Sequence, residues 1–174
     1  MGRVVEIVEY DPAWPESYER EARAIRDVLA GLKTQTFHIG STAIPGMLAK
    51  PIIDILLSVE SLEGFDVVSH KMQLFGYVAL GEFGIPGRRF HFKGGDQRTH
   101  HIHAFEVGSL EINRHLQFRD FLRESREDAE AYALLKIQLG QTYRNDPLGY
   151  NQAKSIFIRG VDIKAREWQI QNQS

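Results

Sequence analysis

The longest apolar run in the chain extends from Pro51 to Val59 and is interrupted only at Asp54 and Ser58. Apolar residues on both alternating faces predict a central strand covered on both sides. Upstream, Val4 to Val8 reads as a short strand, and Asp11-Pro12-Ala13-Trp14-Pro15 as a turn with an aromatic anchor. Between Glu16 and Leu32 the residues Tyr18, Ala22, Ile25, Val28, Leu29 and Leu32 recur at helical spacing, and Gly31 marks the helix end. Thr34 to Ile39 is β-rich and leads into a Gly40-Ser41 turn.

A second helix is expected over Gly64 to Phe75 and a strand over Tyr77 to Leu80, followed by a loop, Gly81 to Gly87, whose glycines permit backbone mobility. Arg88 to Lys93 and Thr99 to Val107 read as two strands of a hairpin around Gly94-Gly95-Asp96. From Leu110 onward only helical patterns remain. Ser125-Arg126-Glu127-Asp128 resembles a capping box opening the second of three helices, and Asn145-Asp146-Pro147 separates it from a third over about Tyr150 to Trp168, with a frayed polar tail, Gln169 to Ser174. The expected architecture is α+β: a small mixed sheet with flanking helices over residues 1–109, then C-terminal helices over 110–174 packed on that core. Those helices have three open roles: covering a cleft, building a homodimer or completing the core.

Composition narrows the function classes. Hydrophobic residues make up 43% and charged residues 25%, values of an ordinary globular chain, and a net charge of −2 argues against a general nucleic-acid ligand. With no cysteine, thiolate catalysis and Cys-ligated zinc are excluded. The N-terminus lacks a signal-peptide core and no segment suits a bilayer span, so the expectation is a cytoplasmic protein without a membrane partner.

Four features carry candidate chemistry. Gly40-Ser41 leaves a strand with no Cβ in the way, so backbone amides and a hydroxyl can approach an anion. Asp54 is a carboxylate in an apolar strand, where a charge requires a partner, a metal or a cleft. It can hold a hard cation such as Mg²⁺, or pair with Lys50 or an arginine for structural reasons. In Thr99-His100-His101-Ile102-His103-Ala104-Phe105-Glu106, strand alternation puts His101, His103 and Phe105 on one face and His100, Ile102, Ala104 and Glu106 on the other. An H-x-H pair on one face can chelate a metal or act as acid and base. Lys50, Arg88, Arg89, Lys93 and Arg98 form a basic group suited to a polyanion, while His70, Arg119 and Arg123 read as surface residues.

The run Gly40-Ser41-Thr42-Ala43-Ile44-Pro45-Gly46, the stretch Lys50-Pro51-Ile52-Ile53-Asp54-Ile55, the His-His-Ile-His strand and Tyr150-Asn151-Gln152-Ala153-Lys154 together resemble the GrpB family over nearly the whole chain. That family is similar to nucleotidyltransferases of the polymerase-β type and occurs fused to dephospho-CoA kinase in some bacteria. The resemblance implies a nucleotidyltransferase-like sheet and a metal-dependent transfer of a nucleotidyl group from a nucleoside triphosphate to an acceptor that sequence does not identify. It implies catalytic roles for Asp54, His101 and His103, phosphate contacts from Gly40, Ser41, Thr42, Lys50 and Arg89, and a Mg²⁺ or Mn²⁺ site drawn from Asp54, His103 and Glu106. The second acid of the transferase pattern would fall at position 56, which is Leu56, so Leu56→Asp is expected to improve metal binding. Two other readings stand beside it: a non-catalytic module that binds a nucleotide or a CoA-related ligand, and a hydrolase using a His-held metal.

Overall fold

The computed structural model describes residues 4–172. Its centre is β2 (Ile53–Val59), flanked by β1 (Thr34–Ile39) and β5 (His100–Glu106), with β4 (Arg89–Lys93) and β3 (Tyr77–Ala79) completing the order β1-β2-β5-β4-β3. Only β2 and β5 run parallel; every other neighbouring pair is antiparallel. A parallel pair needs a long crossover. Here the crossover is α2 (Leu62–Leu74) followed by the β3–β4 hairpin. The register sets Asp54 opposite His101 and Leu56 opposite His103.

Alternation along β2 sorts its side chains between two cores. Ile53, Ile55, Leu57 and Val59 pack against Ala22 and Ile25 of α1 (Trp14–Val28), Leu29 at its C-cap, and Phe65 and Met72 of α2. Each such side chain removed from water contributes roughly 1.5–3 kcal/mol. On the opposite face Leu56 joins Ile39 and Phe105 under Ile112 and Leu116 of α3 (Leu110–Glu124). A third cluster ties the loop residues Ile44 and Met47 to α3, to α4 (Arg126–Thr142) and to α5 (Pro147–Asn172).

Helix starts follow side-chain capping. Ser61, Ser109 and Ser125 each accept a backbone N–H of the first turn, and Ser125 also donates to the Asp128 carboxylate at 2.8 Å. Asp146 accepts the Gly149 amide at 2.9 Å, and Pro147 occupies the first helical position, so α5 begins three residues before the expected Tyr150. It continues through Asn172, so the expected polar tail is helical as far as it is described; Gln173 and Ser174 lie outside the described residues. The strand expected over Val4 to Val8 is reduced to one antiparallel bridge, Val8 with Ala49. α1 begins at Trp14, because Asp11 accepts the Ala13 amide and draws the turn directly into the helix.

Candidate functional site

Asp54 is the second residue of β2, on the face that carries Leu56, and the parallel ladder brings β5 beside it. Its Oδ1 lies 3.1 Å from His101 Nδ1 and 3.2 Å from His103 Nε2. Burial alone would raise the Asp54 pKa. The hydrogen bonds and positive potential of the two histidines outweigh it and hold the carboxyl well below its usual range. An ionised carboxylate only accepts, so both imidazoles donate to it. His103 receives a further contact on its other nitrogen, from Arg88 Nη1 at 3.2 Å.

Arg88 is buried at 6% exposure and also donates to the carbonyls of Glu82 and Phe83, so one guanidinium ties the 81–87 loop to His103. Phe83 is the one non-glycine among the described residues with positive φ, and it stacks on Phe90, whose edge meets both histidines. His115 of α3 lies against His103, with ring centroids 5.5 Å apart, and burial holds its pKa well below the ordinary value.

The turn before the site is built for close approach. Gly40 has φ of 72°, and a Cβ there would come within 2.6 Å of Asp54 Oδ2, so only glycine lets the backbone pass the carboxylate. Two arginines of α3 pin this turn: Arg119 donates to the His38 carbonyl at 3.0 Å, and Arg123 donates twice to the Ala43 carbonyl. Both read as surface residues in the sequence, since their acceptors are backbone atoms about 80 residues away.

Ser41 meets two residues of α4. Lys136 Nζ donates to Ser41 Oγ at 3.1 Å and to the Leu48 carbonyl, and the Tyr132 hydroxyl also hydrogen-bonds Ser41. Lys136 is 2% exposed, and its pKa is lowered to about 7 by burial and by the charge of Lys154. Lys154 of α5 is half-buried over the Tyr150 ring, and burial lowers its pKa to about 8 against the opposing field of Asp54. Lys50 approaches the same ring, 4.9 Å from its centroid.

The residues expected at the site divide accordingly. Gly40, Ser41, Asp54, His101 and His103 converge. Thr42 does not face the cleft: it is 1% exposed, and its hydroxyl bridges His38 and the Ile52 carbonyl inside the turn. Arg89 is on the opposite face of the sheet, held by the Asp66 carboxylate of α2, because its neighbour Phe90 takes the face toward the histidines. Glu106 is likewise on the far face, accepting the Leu62 amide at 3.2 Å, so it cannot join Asp54 and His103 around one ion. Lys136 and Lys154 also lie at this turn and cleft, two residues that local sequence patterns do not place there. Lys154 lies within one of the distinctive motifs, but nothing in the periodicity of α4 marks Lys136.

The expected metal can be tested against this donor set. The ligand atoms of Asp54, His101 and His103 all lie within 4.8 Å of one another. Two donors about 2.1 Å from one ion at near-octahedral or tetrahedral angles stand roughly 3.0–3.4 Å apart, which matches the two Asp54–histidine distances. Two imidazoles and one carboxylate suit Mn²⁺ or a later transition ion better than Mg²⁺. The two Asp54–histidine spacings therefore fit an ion, with the protons on the two facing nitrogens displaced as it enters.

The fold and site define an α+β protein with a carboxylate–histidine triad at a glycine–serine turn, covered by C-terminal helices. The GrpB protein family matches residues 4–164, and the chain belongs to that family. It is 42% identical over 166 residues to the UPF0157 protein YqkA of Bacillus subtilis, covering 95% of this chain and 48% of that protein. It is 38% identical over 162 residues to the UPF0157 protein BH1888 of Halalkalibacterium halodurans, covering 92% of this chain and 82% of the relative. The chain thus spans about half the length of YqkA and most of BH1888. The crystal structure of the conserved protein GrpB from Enterococcus faecalis superposes with a TM-score of 0.86 at 40% identity, covering 94% of this chain and 99% of that one. Among the described residues, no helix is long and apolar enough to cross a membrane.

Proposed function

We propose that this protein is a metal-dependent nucleotidyltransferase acting on a nucleoside triphosphate. The observation that carries this reading is the convergence of Asp54, His101 and His103 within reach of one ion, next to the Gly40–Ser41 turn. Asp54, His101 and His103 would hold a divalent cation, Mn²⁺ in preference to Mg²⁺. When bound, such an ion would supply charge neutralisation and Lewis acidity.

The chain's own groups do the rest. The Gly40 turn lets a phosphate approach the backbone, and Ser41 offers its hydroxyl. The acceptor oxygen bonds to the α-phosphorus, the bond from that phosphorus to the bridging oxygen of the β-phosphate breaks, and pyrophosphate leaves. The acceptor's proton passes to water, since Asp54, held well below the usual carboxylate range, is too weak a base to keep it. This chemistry depends mainly on positioning and electrostatics, which few residues can supply.

A second reading is favoured by Leu56, fully buried where a transferase pattern places another acid: a module that binds the nucleotide without turning it over. Calorimetric titration with ATP, GTP, CTP and UTP, with and without Mn²⁺, separates the readings when run on wild type and Asp54→Asn beside an assay of pyrophosphate release. Transfer predicts Mn²⁺-dependent binding and pyrophosphate release, both lost in Asp54→Asn. Binding without release supports the module, and binding of no nucleotide rejects both.

A further inference from the structure

Two lysines behind the triad have no place in that scheme and are hard to explain as structure. Lys136 is an almost wholly buried ammonium whose hydrogen-bond acceptors are neutral, a serine hydroxyl and a backbone carbonyl. Lys154 is half-buried against the face of Tyr150. Neither forms an ion pair with a carboxylate among the described residues. The carboxylate whose field reaches Lys154 is Asp54, and it already accepts from two histidines.

Burying a cation without a counter-ion costs several kcal/mol, and two such cations repel each other as well. A fold needing only to fill the space between α4, α5 and the turn would place leucine or methionine there. Aromatic faces beneath the ammonium groups, Tyr132 under Lys136 at 4.5 Å and Tyr150 under Lys154 at 4.7 Å, hold the cations in place without neutralising them. Both lysines approach one small region, since Lys136 and Tyr132 bond Ser41 and the fields of Lys154 and Tyr132 meet Asp54.

From this we infer that Lys136, Lys154, Tyr132 and Ser41 form a pyrophosphate-binding cradle on the C-terminal helices. Its ligand is a pair of linked phosphates, whose charge balances the two ammonium groups and whose oxygens accept from Nζ and from the Ser41 hydroxyl. Resting on the transferase reading, the cradle holds the two phosphates that become the leaving group while the α-phosphate faces Asp54. It also assigns α4 and α5 a ligand-binding role in addition to their packing.

The test uses the full chain in chelator, so that metal bound at the triad plays no part, with inorganic pyrophosphate as the calorimetric probe. Wild type should bind pyrophosphate more tightly than orthophosphate. Lys154→Met should weaken binding roughly 30-fold or more, Lys154→Arg should recover most of it, and Lys33→Met on the open surface should change nothing. Lys136→Met should weaken binding similarly, and a thermal melt confirms that it folds. Displacement of bound pyrophosphate by ATP but not AMP assigns the ligand to a nucleotide tail; displacement by neither assigns it to free pyrophosphate. Wild type failing to bind pyrophosphate, or Lys154→Met binding as wild type does, overturns the cradle. Asp54→Asn separates the two proposals, because it should abolish Mn²⁺-dependent turnover yet retain metal-free pyrophosphate binding. Pyrophosphate binding without any nucleotide turnover would leave the cradle standing and remove the transferase.

Discussion

Arg88 Nη1 meets His103 Nδ1 at 3.2 Å, and a guanidinium can only donate, so His103 carries its proton on Nε2, pointed at Asp54. A metal entering the triad needs that same nitrogen as a lone pair, which would move the proton to Nδ1, against the guanidinium. Arg88 therefore opposes His103 as a ligand of the proposed ion.

Replacing Arg88 should relieve this opposition. Arg88→Met is expected to tighten Mn²⁺ binding about 10-fold, the lower end of the range by which groups behind metal ligands change affinity. In the metal-free wild type, long-range ¹H–¹⁵N spectra should show His103 protonated at Nε2. A proton on Nδ1 would contradict the geometry, and so would weaker Mn²⁺ binding by a folded Arg88→Met protein.

The buried Lys136 makes stability depend on pH. In the unfolded chain its ammonium keeps its proton up to the ordinary value of 10.5, whereas in the folded protein it releases the proton near 7. Between those values the unfolded state binds more protons, so stability rises as pH rises, by on the order of 2 kcal/mol from pH 7 to 9. Below pH 7 both states are protonated, and the cost of burying the charge is felt in full. Denaturant melts across this range should show the rise in wild type and a much shallower one in Lys136→Met, where Lys154 alone contributes from about pH 8. Equal slopes in the two proteins would show that Lys136 keeps its proton when folded.

Packing at position 56 leads to the opposite expectation from the one the transferase pattern suggests. Leu56 shares a face with Asp54 but is fully buried between Ile39 and Phe105 under α3. Leu56→Asp is therefore expected to lose roughly 3 kcal/mol or more in urea unfolding and to gain no Mn²⁺ affinity. A stable variant with tighter Mn²⁺ binding would restore the second acid as a missing ligand.

Residues close in sequence or fixed by strand alternation were legible from sequence. Alternation alone placed His101 and His103 on one face and Glu106 on the other, as the structure has them. The Gly40-Ser41 turn and the parity of Asp54 with Leu56 follow from the same arithmetic. The same rule applied to β4 puts Arg89 on the face away from the triad, where it pairs with Asp66. Lys136, Arg119 and Arg123 were beyond local patterns, because each acts on the turn at residues 38–48 across 80 residues or more of chain. Helix periodicity marks a polar position but says nothing about which backbone atom it will meet after folding.

Asp54 and His101 are 47 residues apart and meet only through the parallel pairing of β2 with β5. The ladder spans a helix and two strands, which makes it a non-local contact with a large loop-closure cost. A ligand that bridges Asp54 to the histidines therefore has nothing to hold in a partly paired sheet. It binds the completed chain alone, so its free energy should appear as resistance of the entire sheet to unfolding rather than as stiffening of one loop.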